Sequence, residues 1–96
     1  MKKTKFFIYN VYDCGDCTLE FDNLDECLSE LERILEGVKE VYPVEYIKEF
    51  KPDKREVEDM TCGLYKIIRP IKGVHIKWKD GVEQILFIFE GIEEYA

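Results

Sequence analysis

Ninety-six residues, 46% of them hydrophobic and 13 of them aromatic (six Tyr, six Phe, one Trp), are enough for one globular domain, 1–96, with a core of its own. The net charge of −7 opposes attachment to nucleic acid through phosphates, and the apolar fraction is too high for a disordered acidic tail. No apolar run approaches bilayer length, and FFIYNVY after the N-terminal lysines is too short and too β-like for a secretory core, so the chain reads as cytoplasmic with no membrane partner. Four cysteines without an export signal fit free thiols in a reducing compartment.

In chain order, Lys5 to Tyr12 carries aromatic and β-branched residues at both parities, which predicts a strand covered on two faces. Asp13-Cys14-Gly15-Asp16 is a turn, and Cys17 to Phe21 alternates as a returning strand. The period then changes. Leu24, Cys27, Leu28, Leu31, Ile34, Leu35 and Val38 recur at helical spacing, with Asp22 or Asn23 to cap the start and Gly37 near the end. Glu32 and Glu36 then fall in the last turns, where the helix dipole disfavours them.

Val44, Ile47 and Phe50 suit either a short helix after Pro43 or an edge strand, and Asp53 to Met60 reads as a loop or a short exposed helix. Leu64 to Arg69 is a strand, Pro70 to Gly73 a connection, and Val74 to Lys79 a strictly alternating strand. Asp80-Gly81 then predicts a two-residue hairpin loop that pairs Lys79 with Val82. That register groups Val74, Ile76 and Trp78 with Glu83, Ile85 and Phe87 on a core face. It leaves His75, Lys77 and Lys79 beside Val82, Gln84 and Leu86 as an open basic stripe. The expected architecture is α+β: a small antiparallel sheet of four to five strands with one main amphipathic helix packed on one face, in the order β-β-α-β-β-β, with a short element before the last three strands.

Charge is segregated along this frame. From Asp13 to Glu36 nine acids (Asp13, Asp16, Glu20, Asp22, Asp25, Glu26, Glu30, Glu32, Glu36) face one base, Arg33, whereas Lys66 to Lys79 holds five bases and no acid. Solubility alone produces a charged helix face, but an ordinary one mixes Lys with Glu at i, i+4 spacing, and this one offers only Arg33. A row of carboxylates is suited to a basic groove that otherwise holds a nucleic-acid backbone.

Chemistry is harder to place. Cys14-x-x-Cys17 is half of a zinc site, which Cys27, Cys62 or His75 would have to complete, yet Cys27 falls on the apolar helix stripe and Cys62 has no second ligand nearby. As a redox pair the two thiols lack a helix starting at the motif, and Asp13 and Asp16 disfavour their thiolates. His75 is the sole histidine, its expected face neighbours are Lys77 and Lys79, and no carboxylate is placed to orient it. No glycine-rich phosphate loop is present. The sequence therefore predicts a protein that is not an enzyme and carries no cofactor or metal. Its expected role is stoichiometric binding of a basic partner protein through the nine acids, as a phage-type anti-defence or anti-CRISPR-like inhibitor and possible nucleic-acid mimic. The alternatives are a toxin immunity protein, a zinc or thiol protein using Cys14 and Cys17, and a self-associating subunit. A homodimer is expected from the meeting of acidic helix with basic strands and from Leu86 and Ile88 needing cover on the basic face.

Overall fold

A computed structural model describes residues 3–13, 18–41 and 43–94. Five strands form one antiparallel sheet: β1 (Lys5–Asn10), β2 (Leu19–Phe21), β3 (Val44–Phe50), β4 (Tyr65–Trp78) and β5 (Glu83–Glu93), in the spatial order β2-β1-β5-β4-β3. Helix α1 (Leu24–Val41) follows β2, a short helix α2 (Lys54–Met60) follows β3, and a 3-10 turn (Val11–Asp13) follows β1. The α+β class and the element order are those expected from the sequence. The segment 44–50 is the edge strand rather than a helix.

The two-sided pattern of β1 has its cause in the core. Ile8 points to one face of the sheet, where it joins Cys27 and Leu31 of α1 with Val74, Ile76, Leu86 and Ile88. Phe7 and Tyr9 point to the other, where they join Tyr65, Ile67, Phe87, Phe89 and Val57 of α2. Phe7 packs against Tyr65 and Phe89 at ring-centroid distances of 4.8 and 5.3 Å. α2 is the short exposed helix that its charge suggests, with Val57 alone turned into this cluster. Val57 is fully buried, and so is Thr61, whose hydroxyl donates to the Val57 carbonyl at 2.8 Å. Asp53 caps α2 by accepting from the Glu56 amide at 2.7 Å.

Asn23 caps α1, its Oδ1 accepting from the Glu26 amide at 2.9 Å. The helix runs through Gly37 to Val41, a turn further than expected, so Glu32 and Glu36 are interior positions and Lys39 occupies the last turn, where its charge suits the dipole.

The hairpin register corrects the sequence reading by one residue. Trp78 donates its amide to the Val82 carbonyl at 2.9 Å, and the ladder runs Lys77 to Glu83, Ile76 to Gln84, His75 to Ile85 and Val74 to Leu86. The loop is therefore three residues, Lys79-Asp80-Gly81. A type I′ turn needs positive φ at both central residues, but only Gly81 (φ 95°) has it, and the Gly81 amide bonds back to the Trp78 carbonyl at 3.0 Å. A slip of one reverses every face. Leu86 and Ile88 thus lie buried beneath α1 with Val74 and Ile76, and His75 and Lys77 share the other face with Glu83 and Ile85.

β4 is also one strand, not two with a connection. It accommodates Pro70 through bulges between Ile67 and Arg69 and between Pro70 and Lys72, which set Ile68 and Ile71 outside the one-to-one pairing.

Candidate protein-interaction surface

On α1, with 100° of rotation per residue, the buried stripe leaves Asp25, Glu32 and Glu36 within a band of roughly 40° on one exposed flank, and Glu26 and Glu30 on the other. Asp25, Glu26, Glu32 and Glu36 are exposed, as is Glu20 on β2. The nine acids of the sequence reading do not act alike, however. Glu30 is held by Arg33 one turn along, in a two-point contact that includes Nε to Oε1 at 2.8 Å. Asp22 is held by Lys5 of β1. Each of these carboxyls is kept below its ordinary value, chiefly by the hydrogen bond from its partner. Asp25, Glu26, Glu32 and Glu36 take part in no salt bridge among the described residues. Asp16 lies outside the described residues, as does the side chain of Asp13.

The bases fare differently. The run from Lys66 to Lys79 is divided between the two faces of β4. Arg69 and Lys72 take the α1 face opposite Glu90 and Ile88, and His75 and Lys77 take the other. Acids from the neighbouring strands then meet them: Arg69 with Glu90 at 2.9 Å, Lys72 with Glu49 at 2.8 Å, Lys77 with Glu45 at 3.6 Å and His75 with Glu83 at 3.0 Å. These acids precede and follow the basic run in sequence, so a count along the chain does not see the pairing. The folded protein has an acidic helix, but its basic strand is largely neutralised.

His75 also departs from expectation. Its Nε2 meets Glu83 Oε1, and its Nδ1 lies 3.4 Å from the Tyr46 hydroxyl, whose ring is edge-on at 5.1 Å. An orienting carboxylate is present after all, supplied by the corrected register. The three groups tie β3, β4 and β5 together on an open part of the sheet.

Cys14 and Cys17 lie outside the described residues. The proposed completing ligands are dispersed: Cys27 is fully buried between α1 and the sheet, His75 is on the opposite face, and Cys62 is exposed after α2 in a left-handed conformation (φ 56°). Burial pushes the Cys27 thiol up to about 11, so it stays protonated and serves as a small apolar filler. Among the described residues no three His, Cys, Asp or Glu side chains gather at one point suited to a metal. No described helix is long and apolar enough to cross a membrane.

A feature that the sequence does not reveal is a groove of about 540 Å³ between α1 and β3, floored by Leu35, Val44 and Ile47 and edged by Lys39 and Glu49. Val44 and Ile47 of the edge strand are only partly buried beneath α1 there. No protein-family model, no curated protein and no solved structure matches this chain.

Proposed function

We propose that the protein acts by stoichiometric binding of a basic partner protein through the exposed acids of α1. In this reading it is a cytoplasmic inhibitor of a nucleic-acid-handling protein, of the kind that phages and plasmids encode against host nucleases or CRISPR effectors. One observation carries the reading: Arg69, Lys72 and Lys77 of the sheet are met by cross-strand acids, whereas Asp25, Glu26, Glu32 and Glu36 stand exposed and without salt bridges among the described residues. These acids of the helix therefore add charge that is not internally paired to the field of a chain already at −7. Unpaired carboxylates on a rigid helix keep their full hydration until a cationic surface replaces it, and such a surface is what a nucleic-acid-binding groove offers.

The test is charge reversal. Asp25, Glu26, Glu32 and Glu36 changed together to Lys keep the apolar stripe, so the chain folds, and partner captured from host lysate by the parent chain is lost. Changing Lys66 and Lys79 to Glu, the two bases of the strand run outside the salt bridges, leaves capture unchanged. Retained capture by the helix variant, with loss by the strand variant, refutes the reading.

A further inference from the structure

The two edges of the sheet are unequal. β2 closes one side with three residues, too few to template another strand, but β3 closes the other with seven. An edge strand presents a row of N–H and C=O groups that proteins normally blunt, cover or pair. Pro43 and the bulge between Val44 and Tyr46 blunt the beginning of β3, and the ladder is regular from Tyr46 to Phe50. Beside that regular half lies the groove under α1, with Leu35, Val44 and Ile47 between Lys39 and Glu49.

We infer that β3 pairs antiparallel with β3 of a second copy of this chain, across a two-fold axis through Ile47, to give one continuous ten-stranded sheet. The inference stands independently of the partner proposed above. In this register Ile47 meets Ile47 of the second copy on the α1 face, so the two groove floors adjoin, and Tyr46 meets Lys48 on the other face. Charge decides the occupant. Glu45 and Glu49 of the two copies come opposite one another, but the bulge has turned them apart: Glu45 reaches Lys77 on one face and Glu49 reaches Lys72 on the α1 face. Lys39 stands at the Val44 end of the groove, two residues before the end of α1. The two-fold sets that end against Glu49 of the second copy. On the opposite face Lys48, whose Nζ is 4.5 Å from the ring centroid of its own Tyr46, comes beside Tyr46 and Glu45 of the second copy. Each half of the junction thus offers Lys39 to Glu49 and Lys48 to Glu45, and the surface is self-complementary as a closed two-fold contact requires.

Directly opposed residues of an antiparallel pair have Cα atoms about 4.5–5.5 Å apart, within the span of a disulfide. Under mild oxidation Ile47→Cys is expected to form a covalent dimer about tenfold faster than the parent chain or Glu49→Cys, whose opposite number is residue 45. Lys48→Glu, an exposed change that leaves the circular dichroism spectrum intact, is expected to weaken the dimer by about tenfold in sedimentation. Reversal of the α1 acids is expected to leave it unchanged, which separates this contact from partner binding. The inference is overturned by a parent chain that sediments as a monomer at its highest soluble concentration, by open polymers in place of dimers, by Ile47→Cys cross-linking no faster than Glu49→Cys, or by a dimer indifferent to Lys48→Glu.

Discussion

Gly73 shows how one missing side chain positions another. The Phe50 ring of the edge strand lies over it, and a Cβ added there would meet ring atoms at 2.3 Å. This is how an aromatic on one strand covers a backbone gap on its neighbour. Phe50 is thereby held at 6.1 Å from Phe87, with its ring edge-on, and the end of β3 is joined to the core on the α2 face. Gly73→Ala is expected to cost about 1–3 kcal/mol, the usual penalty of overpacking, read as a shift of the urea midpoint with an unchanged slope. A midpoint equal to the parent's would show that the ring does not rest there. The paired acids make a second statement at this scale. The folded chain holds the carboxyls of Asp22 and Glu30 below their ordinary values, through Lys5 and Arg33. A lowered carboxyl stabilises the fold above its unfolded pKa, and that contribution is lost as pH falls through the folded value. Asp22→Asn with Glu30→Gln is therefore expected to be less stable than the parent at neutral pH and equal to it well below pH ~4. A stability difference that persists in acid would assign the effect to packing.

At the scale of elements, the hairpin governs what the sheet presents on each side. With the three-residue loop, Leu86 lies beneath α1 and is 5% exposed, whereas Val82 at the turn is 54% exposed. Leu86→Ala is expected to cost about 2–5 kcal/mol as a core truncation, and Val82→Ala to stay within about 0.5 kcal/mol, both by chemical denaturation. The two-residue register would instead leave Leu86 on an open face and make its truncation mild. In the same register Leu86 and Ile88 have α1 above them, and His75 and Lys77, which still share a face, are met by Glu83 and Glu45.

For the whole molecule, the relevant quantity is the field after internal pairing. Arg69, Lys72 and Lys77 find carboxylates within the sheet, as does His75, and Asp25, Glu26, Glu32 and Glu36 of α1 stand exposed. In the proposed reading, encounter with a basic groove is steered over a distance that salt shortens to about 8 Å at physiological ionic strength. Association with the captured partner is expected to slow steeply as salt rises while dissociation changes little, measured by surface-based kinetics. An association rate indifferent to salt would remove the helix field from the account.

Local signals sufficed where physics is local. The 3.6-residue period from Leu24 to Val38, the Asn23 cap, the two-sided apolar pattern of β1 and the Asp80-Gly81 turn each act within a few residues, and from them follow the α+β class, the element order and the acidic helix face. The same chain could not be read where one residue's state depends on another far away. Whether 44–50 became strand or helix depended on the free edge of β4, and the burial of Val57 within the otherwise exposed α2 depended on the aromatic face that Phe7, Tyr65 and Phe89 assemble from three strands. Whether His75, Lys77 and Lys79 formed an open basic stripe depended on Glu83 and Glu45, brought across from neighbouring strands, and on a turn that takes Lys79 into the loop. Side-chain period in a strand is two, so a single residue in the loop moved Leu86 from an open face to the core and gave His75 a carboxylate. That one-residue difference is a matter of turn conformation and packing together, which only the closed tertiary structure decides.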